Sequence, residues 1–267
     1  GDPFINSLES TGDVSGANDV GGVAGFLYGV TVSNSSATGA VTATGDIAGG
    51  LVGTNDGSIV QTSYATGDVT AANIAGGLVG FNKSAVLAYS GNNYYSESTI
   101  SNSFATGAVS ATDKAGGFVG ENSTDYGNAI SPTTTSATIQ NSYSTGSVSG
   151  TTNVGGFVGL NDSDGVISNS SYDKILVTGM LDEANFGQTT EDMKSFSFFD
   201  DASWSVQETS ELSDVYPQLR WMAGVSGMNR IWVIGEAAVV PPVTTSTTPT
   251  NSSNSDTEKV ITAITNN

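Results

Sequence analysis

Four aspartates, Asp13, Asp46, Asp68 and Asp113, sit near the turns of a repeated pattern. A carboxylate pair held at a defined separation can hydrolyse a glycosidic bond. Asp13 and Asp68 follow a Thr-Gly pair, whereas Asp46 and Asp113 lie elsewhere in the repeat, so no single column of the four is expected. The chain has no histidine and no cysteine. A histidine-based triad, an imidazole ligand and a thiol nucleophile are therefore ruled out. No phosphate-binding glycine loop of the GxxxxGK[ST] or GxGxxG kind is present in its required context. The expectation is that the protein is not an enzyme.

The stretch NDSDG, Asn161 to Gly165, resembles half of a calcium loop, with Asp162 and Asp164 as oxygen ligands. It lacks the downstream bidentate glutamate of an EF-hand. A structural Ca²⁺ is the one cofactor the chain suggests, and a solvated turn is the simpler alternative. Thr38, Thr66, Thr106 and Thr145 share a position in the repeat and would form a hydroxyl column, but uneven insertions break any wide flat array of the kind that binds ice. Two insertions, 83–99 and 123–138, carry Tyr89, Tyr94, Tyr95 and Tyr126 among Asn, Ser and Gly. Tyrosine in such company suits adaptable contact with a glycan, a protein or another subunit.

What must position these groups is the repeat itself. Thr-Gly recurs at Thr11, Thr38, Thr66, Thr106 and Thr145, and a Gly-Gly pair follows each, starting at Gly21, Gly49, Gly76, Gly116 and Gly155. Ser35, Ser63, Ser103 and Ser142 precede the Thr by three residues. Apolar residues then fall in columns: Val32, Val60, Ile100, Ile139 and Ile167; Tyr64, Phe104, Tyr143 and Tyr172; Val14, Val41, Val69, Val109 and Val148; and Val23, Leu51, Leu78, Phe118 and Phe157. The runs are short, rich in β-branched and aromatic residues, and punctuated by glycine, which reads as strands and turns. One copy has too few apolar side chains to bury a core, so copies must stack. The predicted fold is all-β: a parallel β-solenoid of about five to six rungs over 1–179, each residue lying above its equivalent. Asn55, Asn82, Asn122 and Asn161 would then form an amide ladder. The glycines are expected to supply positive-φ corners and close approach.

The pattern GGLVGxN followed by NSYATGxV resembles the GLUG motif, over Ile5 to Tyr172. Such repeats occur in bacterial surface adhesins, filamentous-haemagglutinin-like exoproteins and some secreted immunoglobulin-A proteases, where they lie outside the catalytic domain. The segment Phe186 to Met222 also resembles one that closes such arrays. Residues 180–235 hold all three tryptophans, Trp204, Trp221 and Trp232, and read as an aromatic-rich C-terminal cap over the open end, in which Thr189-Thr190-Glu191-Asp192 can cap a short helix with Met193, Phe196 and Phe199 on one side. Residues 236–267 read as a Thr/Ser/Pro-rich linker ending in a strand with Val260, Ile261 and Ile264.

Composition bounds the partners. Seven Lys and Arg stand against 26 Asp and Glu, a net charge of −19, so nucleic acid and anionic membrane surfaces are disfavoured. No apolar run reaches the length of a membrane span, so no membrane insertion is expected. Few charges, no cysteine and many Ser, Thr, Asn and Gly fit a secreted protein, and the start at Gly1 suggests a mature or excised form. Six Asn-x-Ser/Thr triplets, at Asn34, Asn82, Asn122, Asn161, Asn169 and Asn251, are expected by chance in so Ser-rich a chain. The function expected is an extracellular, cell-surface filament subunit that self-associates head to tail, its tail adding a strand to a neighbour. The alternative is a monomeric adhesin segment that binds a glycan or a host or cell-surface protein. A polysaccharide-active β-helix enzyme is a third reading.

Overall fold

Parallel stacking of equivalent residues generates the whole solenoid. The computed structural model describes residues 3–89, 92–125, 135–176, 186–201, 204–213, 215–219 and 231–236. Each rung contributes one short strand to each of five parallel sheets. In rung three, for example, these are Ile59–Gln61, Tyr64–Ala65, Val69–Ala71, Ile74–Gly76 and Val79–Tyr89. The first sheet stacks six strands, from Phe4–Asn6 to Val166–Ser168, and the second stacks seven, from Glu9–Ser10 to Gly187–Gln188. The third, fourth and fifth run through five rungs and end at Val148–Ser149, Asn153–Gly155 and Val158–Asn161. The parallel β-solenoid of five to six rungs is thus the fold.

With the exception of Tyr172, the columns read from sequence are the columns of the structure. Val60 pairs with Val32 and Ile100, and Val69 with Val41 and Val109. One core gathers Val32, Leu51, Val60, Leu78, Ile100, Phe118, Ile139 and Phe157, and a second gathers Val41, Val69, Val109 and the alanines beside them. Each fully buried Val, Leu or Ile contributes about 1.5–3 kcal/mol, and every rung repeats the same set. Phe118 stacks on Phe157 with ring centroids 4.9 Å apart, the spacing that strand separation of about 4.8 Å imposes.

Two polar ladders run beside the apolar columns. Asn55 Nδ2 donates to Asn82 Oδ1 (2.8 Å), Asn82 to Asn122 (2.7 Å) and Asn122 to Asn161 (2.7 Å). The serines form a second, mixed ladder. Ser35, Ser63, Ser103 and Ser142 each donate the backbone N–H to the next rung's Ser Oγ, at 3.1–3.3 Å, ending on Ser170. Each of those hydroxyls donates in turn to the carbonyl two residues before it. Buried polar groups are tolerable here because their neighbours in the stack satisfy them, with the exception of Asn55 Oδ1 at the start of the amide ladder.

The corners differ from expectation. The left-handed corner before each ladder serine is made by Asn34, Thr62, Asn102, Asn141 and Asn169, and the equivalent corner before Leu8 by Ser7, with φ between 45° and 58°, not by glycine. Asparagine tolerates this region because its short amide satisfies nearby backbone. Glycine takes positive φ at Gly29 and Gly57, where rungs one and two turn tightly from the fifth sheet to the first. Most other glycines serve close approach: a Cβ on Gly76 would lie 1.9 Å from the Val79 carbonyl oxygen.

The two insertions leave from that same corner. The strand Val79–Tyr89 runs past the fifth sheet and pairs antiparallel with Asn92–Ser96. Val119–Asp125 follows it in parallel, with Lys83, Ser84 and Ala85 opposite Ser123, Thr124 and Asp125.

The segment expected to cap the end contains α1 (Thr190–Met193) and α2 (Phe196–Asp201). Thr189 caps α1, its side chain accepting from the Asp192 N–H, as the sequence indicated. A three-stranded sheet follows: Val206–Ser213, Gln218–Leu219 and Trp232–Glu236. This module packs on the outer face of the second sheet. Met193, Phe199, Trp204, Leu219 and Trp232 form one core with Phe104 and Tyr143. The aromatic column therefore faces outward, while Ala65 and Ala105, the neighbours in each strand, face inward.

Tyr172 does not belong to that column. Tyr143 pairs with Ser171, and Ser144 with Tyr172. One residue of displacement turns a side chain to the other face, so Tyr172 points into the solenoid. There its ring fills the space over Gly156, closing the core with Phe186 beside Phe157.

Candidate functional site

The described residues present three places with functional potential: the turns that hold the carboxylates, the terminal rung and the boundary with the C-terminal module.

The turn carboxylates are occupied by the fold. Asp13 and Asp68 share a column, separated by Ala40, and Asp46 and Asp113 share another, separated by Asn73. Two rungs separate the acids in each, about 10 Å, which keeps like charges apart. Asp13 Oδ1 accepts from the Ala40 N–H and Asp68 Oδ1 from the Ala108 N–H, both at 2.8 Å. Asp46 Oδ1 accepts from Asn73 Nδ2 (2.6 Å). Asp113 pairs with Lys114 (3.1 Å), whose ammonium also meets Glu121 (3.3 Å). Partial burial lowers the Lys114 pKa, but its bonds to Asp113 and Glu121 outweigh that and raise it overall.

Asp162 shapes a turn. Its Oδ1 accepts from the Asp164 N–H (3.0 Å) and the Gly165 N–H (2.8 Å), and its Oδ2 from the Thr124 N–H (2.8 Å). Asp164 meets Ser163 instead. Among the described residues no group of three or more His, Cys, Asp or Glu gathers to hold a metal ion.

The terminal rung is the second place. Beyond rung five the described residues add strands to the first and second sheets, leaving a step. Among the described residues, the outer edges of Val148–Ser149 and Asn153–Gly155 pair with no strand. A cavity of about 380 Å³ opens in this step, lined by Val154, Val158, Leu160, Ile167 and Phe186 with Asn153 and Asn161. The opposite end carries exposed Phe4, Phe26 and Tyr28. Outward columns are apolar at both ends: Phe4, Thr31, Ile59, Thr99, Thr138, Val166; and Phe26, Thr54, Phe81, Glu121, Leu160.

The third place is the seam between solenoid and module. Tyr64, Phe104 and Tyr143 stack at 5.0 and 5.1 Å with rings within 6° of parallel. Trp232 leans on both Phe104 and Tyr143. The Tyr143 hydroxyl donates to the Pro217 carbonyl (2.7 Å), and burial pushes its pKa well up, helped by the neighbouring Tyr216. Asp173, fully buried, accepts from Thr190 Oγ1 and from the Tyr216 hydroxyl, both at 2.6 Å. No local pattern marks this acid as the link between the last rung and the module, because its partners lie 17 and 43 residues away.

Of the residues singled out for contact, Tyr89, Tyr94 and Tyr95 fall on the hairpin of the first insertion, where Tyr95 pairs with Val86 and Tyr94 with Leu87. Tyr126, Val260, Ile261 and Ile264 lie outside the described residues. Asn82 and Asn122 are buried in the amide ladder, which closes those two triplets to glycosylation in the folded protein. Among the described residues no helix is long and apolar enough to cross a membrane. Compared with known proteins, the chain matches no family model, no curated protein and no solved structure.

Proposed function

We propose that this protein is an extracellular structural subunit that assembles head to tail into a filament. The observation that carries the reading is the step at the last rung, where, among the described residues, Val148–Ser149 and Asn153–Gly155 pair with no further strand beside an apolar cavity. Free strand edges bind further strands, because each unpaired N–H and C=O gains a partner. The apolar residues that end the outward columns, Phe4 and Phe26 on one side and Val166 and Leu160 on the other, support contact between copies. The tail segment with Val260, Ile261 and Ile264 is the one we assign to the edge Asn153–Gly155 of a neighbour. The linker between Glu236 and Lys259 can reach about 75 Å when extended. Such a contact joins two different surfaces, so it propagates unless it closes on itself. The acidic, cysteine-free composition supports an extracellular setting. We assign no catalytic reaction.

The test is negative-stain microscopy with light scattering over a range of concentrations. The full chain should form filaments, and deletion of Val260–Thr265 should leave monomers. A full chain that stays monomeric at every concentration would overturn the proposal.

A further inference from the structure

The cavity at the terminal step lies at the end of the core, and its lining constrains any strand that adds there. Val154 stands over Ala115, and Val158 over Val119, in columns whose side chains point into the solenoid. Within the stack, each such residue is covered by its equivalent in the next rung. An apolar side chain laid over Val154 would continue that column and enter the cavity beside Val158, Ile167 and Phe186.

A strand added parallel to Asn153–Gly155, as every rung-to-rung pair is parallel, meets a second constraint. Side chains two residues apart share a face. The residue two places beyond the one over Val154 therefore lies over Gly156 and also points inward. The Tyr172 ring fills that space: a Cβ on Gly156 would lie 2.3 Å from it. Earlier rungs keep glycine in this column, at Gly50, Gly77 and Gly117. The added strand thus needs a large aliphatic residue followed, two places on, by a small one.

The tail has this pair in one place. From Lys259 to Asn267 it reads KVITAITNN, and Ile261 with Ala263 is the one pair at that interval with a large aliphatic before an alanine. Val260 is followed at that interval by Thr262, and Ile264 by Asn266. We infer that Ile261 of a neighbouring copy is the anchor that enters the cavity, with Val260, Ile261 and Thr262 in register with Asn153, Val154 and Gly155 and with Ala263 passing the Tyr172 ring. The inference rests on the assembly reading and names the residue that gives it specificity. The chain is long enough: residues 237–259 reach about 75 Å extended, more than twice the rise of six rungs, about 29 Å.

The experiment has two arms. In the first, assembly of the full chain is followed by light scattering against concentration. Ile261→Asp should raise the concentration needed at least about tenfold, through loss of one buried aliphatic side chain. Ala263→Trp should do the same by striking the Tyr172 ring, whereas Ile264→Asp should change it by no more than about twofold. In the second, a fluorescein-labelled peptide of residues 257–267 is titrated with the full chain below its assembly concentration and read by anisotropy. The peptide should bind, and its Ile261→Asp version at least about tenfold more weakly. Val154→Thr in the full chain, which places a hydroxyl under Ile261, should weaken peptide binding about fivefold. The inference is overturned if the peptide does not bind, if Ile261→Asp or Val154→Thr has no effect, or if Ile264→Asp is the more damaging. A full chain that stays monomeric while the peptide binds through Ile261 overturns the filament and leaves the anchor standing.

Discussion

Leu27 lies in register with Asn55, and the fully buried Oδ1 of Asn55 has no hydrogen-bond donor there. Every other member of the amide ladder accepts from the rung before it. The first rung replaces the donor with an aliphatic side chain, so the ladder is stoppered at one end. At the other end Asn161 Nδ2 donates to the Gly165 carbonyl (2.9 Å).

Two substitutions distinguish the ends of this ladder from its middle. Asn82→Leu removes the acceptor of Asn55 and the donor to Asn122, and should cost about 2–4 kcal/mol, read from the denaturant midpoint. Leu27→Asn exchanges buried hydrocarbon for a donor to the orphaned oxygen, and the two terms nearly cancel, within about 1 kcal/mol.

Thr62 holds φ at 48°, in the same corner where Asn34, Asn102, Asn141 and Asn169 sit. A β-branched residue is strained there. Thr62→Asn should stabilise by about 0.5–1 kcal/mol, and Asn102→Thr should destabilise by a similar amount; thermal melts of both variants provide the check.

Asp173 is the acceptor for two hydroxyls that belong to the module, Thr190 and Tyr216. Asp173→Ala leaves both without their acceptor, at about 1–3 kcal/mol each. The module should loosen before the solenoid does. Fluorescence of Trp204 and Trp232, both buried against Tyr143, should change at lower denaturant than the far-ultraviolet strand signal.

Alkaline pH should act through Tyr143. Its phenol keeps its proton in the folded protein above the pH near 10 where an unfolded tyrosine loses it. The stabilisation from this group is therefore complete below about pH 10 and falls as pH rises toward the folded value. Tyr143→Phe should cost about 1 kcal/mol at pH 7, from the lost bond to the Pro217 carbonyl, and should flatten the decline above pH 10. Unfolding midpoints at pH 7, 9 and 11 decide it.

The solenoid was legible because its information is repeated: Val60 sits between Val32 and Ile100 in space as it does in the aligned copies. Asn82 could be placed in a ladder for the same reason. Tyr172 misled because the last copy inserts a serine, Ser170-Ser171 before the tyrosine, and alternation then reverses its face. The outward direction of Tyr64, Phe104 and Tyr143 was hidden by the residues that cover them. Those come from a non-repeating segment, and nothing in a single copy records a partner such as Trp232.

The corner between the fifth and first sheets has a wider consequence. Rungs one and two cross it in a tight glycine turn, and rungs three and four leave it by excursions that return without altering the register of the strands on either side. Length at this point is therefore mechanically decoupled from the pitch of the stack. The corner is a port through which foreign cargo can be spliced at regular intervals along the molecule, with the scaffold indifferent to what it carries.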